Sequence, residues 1–122
     1  MRWRWPLQGK VVQGFRGGDR TRQGIRIAAL PGQKVLAAES GTVVYSGSGL
    51  KGYGNLIIVK HNDNYLSAYG HNRDLLVSEG DQVTKGQKIA AMGRANNGKP
   101  LLHFEIRRNG KPVDPLRLLP KR

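Results

Sequence analysis

The sequence predicts an all-β domain, a compact antiparallel sheet or sandwich, and three observations carry that reading. Seventeen glycines and six prolines divide the 122 residues into short apolar runs, the punctuation of tight turns between short strands. The stretch Leu101-Leu102-His103-Phe104-Glu105-Ile106-Arg107 alternates: Leu102, Phe104 and Ile106 point to a core face, and Leu101, His103, Glu105 and Arg107 to the other, on a surface or in a cleft. No segment of about a dozen residues keeps a helical apolar period between caps.

In chain order, Trp3 and Trp5 flank Arg4 ahead of Pro6 and are expected to pin the N-terminal segment to the sheet. Residues 10–15 form a short strand, followed by a loop through Gly17, Gly18 and Asp19. In Gly24–Ala29, Ile25 and Ile27 take one face, and Gly24 and Arg26 the other, joined by Arg22 if the chain stays extended. Pro31-Gly32 turns the chain into strands over 34–38 and 41–46. The glycines of Gly47–Gly54 supply positive φ in a loop; no Gly-Lys-Ser/Thr opens a helix there, which excludes a phosphate loop. Leu56-Ile57-Ile58-Val59 reads as a strand buried on both faces. It returns through Asn62-Asp63-Asn64 into a strand over 65–70, a hairpin with Asn and Asp in the turn. Further strands are expected around Val83 and over 88–92, and Asn109-Gly110 makes a turn. Residues 112–120 read as an irregular tail whose Leu116, Leu118 and Leu119 dock on the core.

Composition narrows the function. The length suits one domain over residues 1–122. There is no cysteine, and no apolar run approaches the roughly 20 residues of a membrane span. Residues 1–6 lack the apolar stretch of a signal peptide and read as a start within a longer protein. The net charge of +13 calls for an anionic partner. Its cations are spread along the chain with no run or nucleic-acid motif, so nucleic acid is not expected among the partners, nor membrane contact by this domain itself.

Four blocks in order, Gly24-Ile25-Arg26-Ile27-Ala28-Ala29, Gly52-Tyr53-Gly54-Asn55, Tyr69-Gly70-His71 and Leu102-His103-Phe104-Glu105-Ile106-Arg107, with Glu79–Gln87 between them, resemble the LytM family of lysostaphin-like zinc metallopeptidases. That resemblance implies a β domain with a groove whose active members cut peptide cross-links of peptidoglycan. Those members hold zinc with His and Asp spaced H-x-x-x-D and with the second His of H-x-H; the first His of H-x-H and one further His assist. The corresponding positions here are Arg22 and Arg26, Leu101 and His103, and His71. A catalytic zinc needs three protein ligands with lone pairs, and a guanidinium offers none. The expectation is therefore no metal, no cofactor and no catalysis.

The chain is most similar to the degenerate members of the NlpD and EnvC type, above all the NlpD type, which bind zinc amidases of the envelope and switch them on. The resemblance implies a non-catalytic activator of a peptidoglycan amidase in the Gram-negative periplasm. The domain would be the C-terminal part of a longer envelope protein, with any outer-membrane anchor in a segment absent here. The partner-binding site implied is the vestigial groove, with Arg22, Arg26, Tyr53, His71, Leu101 and His103 as contacts; cationic at the arginines and apolar at Leu101, it suits an acidic amphipathic segment. An active zinc endopeptidase and a peptidoglycan-binding module without amidase activation stand as alternatives. A carrier module, suggested by the turns of residues 77–86, lacks the lysine-bearing dipeptide such modules need.

Overall fold

A computed structural model describes residues 1–121. Strands β1 (Lys10–Gln13), β2 (Ile25–Ala28), β3 (Lys34–Leu36), β4 (Gly41–Gly47), β5 (Asn55–Lys60), β6 (Tyr65–Leu75), β7 (Gln82–Val83), β8 (Lys88–Met92), β9 (Leu101–Arg108) and β10 (Lys111–Val113) are followed by a 3₁₀ turn at Pro115–Arg117. All pairings are antiparallel, and the main path runs β1-β2-β9-β6-β5-β4-β7. Strand β10 adds to β9, and β8 joins β3 to the far end of β6. The all-β expectation holds, and no helix of the described residues is long and apolar enough to cross a membrane.

The core lies on one face of this sheet. Directly paired residues of antiparallel strands point to the same side. The rows Ile27–Leu102 and Ile25–Phe104–Tyr69 therefore form its floor, with the Tyr69 and Phe104 rings 5.4 Å apart. Ile57 extends the second row as the partner of Tyr69, and Val59, Ile89 and Met92 belong to the same core cluster. Leu56 is buried as well but stands outside this cluster, so β5 buries apolar groups on both sides, as its unbroken run suggests.

One chain of buried polar groups is satisfied link by link. The Tyr69 hydroxyl accepts from the Ala38 N–H at 2.9 Å and shares a 2.7 Å bond with Ser67 Oγ. Ser67 Oγ also lies 2.8 Å from His61 Nε2, and His61 Nδ1 lies 2.8 Å from the Ser40 carbonyl. Because the Ser40 carbonyl can only accept, His61 carries its proton on Nδ1, and Ser67 donates to Nε2. Burial pushes the Tyr69 hydroxyl up to about 12 and holds His61 below the usual imidazole range, so both stay neutral.

The chain ends follow expectation with two corrections. Trp3 is buried edge-on against His61, and Trp5 Nε1 donates to the Pro120 carbonyl at 2.7 Å. Residues 111–113 are a strand rather than part of an irregular tail, because the Asn109-Gly110 turn, both residues at positive φ, brings them back onto β9. Leu119 is in the core and Leu118 packs against it, but Leu116 is 43% exposed, since the Asp114 side chain caps the Leu116 N–H at the start of a turn that faces Leu116 outward.

Gly24 lets β2 lie close to β9: a Cβ there would stand 2.2 Å from the Phe104 carbonyl oxygen and 2.7 Å from Glu105 Cγ. Relief requires the two strands to part. Gly24→Ala is expected to lower stability by about 1–3 kcal/mol, read as a lower urea midpoint at unchanged slope.

Candidate functional site

The opposite face of the same strands carries the site. Arg26 pairs with His103, and His103 with Gly70, so one row across β2, β9 and β6 presents a guanidinium, an imidazole and a bare glycine. Ala28–Leu101 flank this row on one side and Glu105–Ala68 on the other. Gly70 is bare for a reason: a Cβ there would meet the Tyr53 carbonyl at 3.2 Å and its ring at 3.5 Å. The Gly47–Gly54 loop lays Tyr53 over this gap, and the Tyr53 carbonyl accepts from the His71 N–H at 2.8 Å.

Strand β6 bends at His71, which adopts φ 65°, a left-handed conformation uncommon outside glycine. The bend is held from both sides. Asn72 Nδ2 donates to the Tyr69 and Asn55 carbonyls, and the Gly93 N–H donates to the His71 carbonyl at 3.0 Å. The bend turns the His71 ring toward His103, with centroids 6.3 Å apart; Tyr53 stands 5.7 Å from His103 on another side.

Under these rings lies Glu105, 1% exposed. Its Oε2 accepts from the Tyr53 hydroxyl at 2.8 Å and from His103 Nε2 at 2.7 Å; its Oε1 accepts from Arg107 Nε at 2.9 Å. Arg107 reaches on to Gln23 Oε1 at 3.1 Å. Burial works to raise the Glu105 pKa, but the bonds from His103, Tyr53 and Arg107 prevail and hold it below the usual carboxylate range. Burial, and then Glu105, raise the Tyr53 hydroxyl. Since an ionised carboxylate only accepts, His103 donates through Nε2, and its buried Nδ1 has no partner.

Arg26, Tyr53, His71 and His103 thus line one cavity of about 300 Å³, with Arg20 and Lys51 at its rim. Leu101 lines an adjoining hollow of about 370 Å³ with Val12, Ala29 and Pro100, and Arg26 forms the wall between the two. Arg22 lines neither; its Nε donates to the Gly14 carbonyl at 3.0 Å, because the chain before Gly24 turns away instead of staying extended. Among the described residues, no three His, Cys, Asp or Glu side chains converge as a metal site.

Sequence reasoning missed Glu105, Arg107, Gln23, Arg20 and Lys51 as neighbours of the site. For Glu105 a signal existed: the alternation that exposes His103 on this face of β9 places an acid two residues on, in a chain short of acids. Arg20 and Lys51 sit on loops, whose approach no periodicity encodes.

The sequence pattern of peptidase family M23 matches residues 20–115. A lipoprotein NlpD/LppB homolog of Pseudomonas aeruginosa is 58% identical over 98% of this chain and 40% of its own length. The murein hydrolase activator NlpD of Escherichia coli is 54% identical over 98% of this chain and 32% of its own length. The chain thus spans less than half of either relative. A zinc-containing peptidase of Vibrio cholerae superposes with a TM-score of 0.84 at 29% identity, covering 95% of this chain and 40% of that one.

His71 is held down to about 4, first by burial, then by His103 and Arg26. A histidine so depressed stabilises the fold fully above its unfolded pKa near 6.5. That stabilisation is lost as pH falls from there toward 4, where the unfolded chain binds the extra proton. Stability is expected to fall over this window. His71→Asn, which tolerates the left-handed backbone, should flatten it; urea titrations of both proteins between pH 4 and 7 measure the difference.

Proposed function

The chain belongs to peptidase family M23, and we propose that within it this domain is a non-catalytic regulator. In this reading it binds and activates a peptidoglycan (N-acetylmuramoyl-L-alanine) amidase during cell-wall remodelling and daughter-cell separation. The vestigial catalytic groove is its docking face, with Arg22, Arg26, Tyr53, His71, Leu101 and His103 as the contact set. The setting is the Gram-negative envelope, supported by relatives whose names include lipoprotein and murein hydrolase activator; peptidoglycan itself is a candidate second ligand.

The observation that carries this reading is the guanidinium of Arg26 beside His103. The residues present do not fit the zinc ion of an M23 peptidase. His103 offers a free Nδ1, but its cross-strand neighbour is a permanent cation with no lone pair. At 4 Å a unit charge repels a divalent ion by about 8 kcal/mol near a protein surface, and no third donor converges among the described residues. Two of the three ligand positions, Arg22 and Arg26, are thereby lost, and Leu101 replaces an assisting histidine.

Loss of metal leaves the groove's walls in place, because they are set by the core rows of β2, β9 and β6 behind it. A surface of arginine, tyrosine and leucine on a rigid sheet has the composition of a protein-binding site. Activation is then a shift in the amidase between closed and open states, no larger than the difference in affinity for the two.

Dialysis against zinc followed by elemental analysis is expected to find far less than one equivalent retained; stoichiometric retention at neutral pH overturns the non-metallic reading. Arg26→Ala and Leu101→Glu should weaken amidase binding by about tenfold or more. Arg22→Ala should weaken it less, since its Nε is committed to Gly14. If all three fold, by circular dichroism, and activate like wild type, the partner binds elsewhere.

A further inference from the structure

Arg26 is a fixed positive charge. Among the described residues no carboxylate lies within ion-pairing distance of it, and its Nε–H is shielded from solvent with no acceptor. Leaving a shielded donor unmade is costly, and a guanidinium cannot discharge the cost by losing its proton. The acid nearest in the site is already used: Glu105 answers Arg107 with one oxygen and Tyr53 and His103 with the other. Arg20 and Lys51 at the rim likewise have no acid partner among the described residues. The cavity therefore carries uncompensated positive charge around a half-buried fork.

We infer that this cavity is a receptor for a single carboxylate, the side chain of an Asp or Glu on the docking segment of the protein partner, seated on Arg26. The identity of that partner as an amidase rests on the reading above; the carboxylate does not.

Four features select this ligand. The guanidinium fork matches the two oxygens of a carboxylate. The hydroxyl donors of the site are spent, Thr21 on Asp19 and Tyr53 on Glu105, which leaves little to meet the third oxygen of a phosphate. About 300 Å³ accommodates one short acidic side chain. Across the Arg26 wall, the hollow formed by Val12, Ala29, Pro100 and Leu101 takes an apolar side chain from the same segment. The recognised sequence is thus an acid next to an apolar residue, and the main chain beside the acid passes His103 Nδ1, a further buried atom left unpaired. Because Arg26 and His103 are register partners in a sheet, the receptor is formed before the ligand arrives.

The test uses this chain labelled with nitrogen-15. A shielded Arg26 Nε–H gives a resolvable signal, and the probes are N-acetylglutamate, its neutral isostere N-acetylglutamine, and inorganic phosphate. The expected result is a saturable shift of the Arg26 signal with N-acetylglutamate and binding at least about tenfold weaker with N-acetylglutamine. Signals of Tyr53 and His71 should respond in wild type and fall silent in Arg26→Gln. Arg26→Lys, which keeps the charge and loses the fork, should fall between. Equal response to both glutamate derivatives, phosphate binding ahead of N-acetylglutamate, or an unchanged response of Tyr53 and His71 in a folded Arg26→Gln overturns the inference. Amidase activation by Leu101→Glu is measured alongside: its loss while N-acetylglutamate fails to bind would leave the docking face standing and remove the carboxylate alone.

Discussion

The carboxylate of Glu105 is buried, ionised and surrounded by donors from three directions. An isolated ionised carboxylate in such a place would be strongly disfavoured, so the fold must bring Tyr53, His103 and Arg107 to it together. Each of these ties down something different. Tyr53 anchors the glycine-rich loop over Gly70, His103 is fixed in one ring orientation, and Arg107 reaches Gln23 just ahead of β2. Removing one donor would leave a charge under-satisfied inside the sheet rather than lose a single surface contact. The geometry of the site is thus a consequence of solvating one acid.

The balance of charge around that acid separates what this face can bind from what it cannot. Glu105 neutralises Arg107, and no carboxylate of the described residues neutralises Arg26. A divalent metal would add to an existing excess of positive charge; an anion would remove it. Physically, a guanidinium in this row makes the field of the site positive, on a fold that superposes on that of a zinc-containing peptidase.

Much of this was legible in the sequence because a period of two is strict. Once Leu102, Phe104 and Ile106 are taken as core, His103 and Glu105 must share the other face, and Ile25 and Ile27 fix Arg26 on the matching side of β2. The strands around these residues, the hairpin at Asn62–Asn64 and the anchoring of Trp3 follow from the same local rules. What local pattern could not supply was where irregular backbone goes. Arg22 lies just before the strand begins, and its direction depends on a turn closed by the Arg22 N–H on the Asp19 carbonyl. The continuation of β6 through Leu75 depends on a left-handed histidine held by Asn72 and Gly93, long-range contacts that a stop signal at Gly70-His71 conceals. The burial of His103 and Glu105 required Tyr53 as a cover, and a loop residue carries no register.

The hydrogen bond from Trp5 to the Pro120 carbonyl brings the two ends of the described chain together. Arg4 and Leu36 add rungs between the N-terminal segment and the body of the sheet, bonding to Ala38 and Pro6. A domain gathered at one knot can sit within a much longer polypeptide as a closed loop. Tension transmitted along such a polypeptide would load the Trp5–Pro120 knot first and reach the rows of β2, β9 and β6 only after it gives way. Mechanical strain from a tether would therefore be felt at the chain ends before it could distort the Arg26–His103 row.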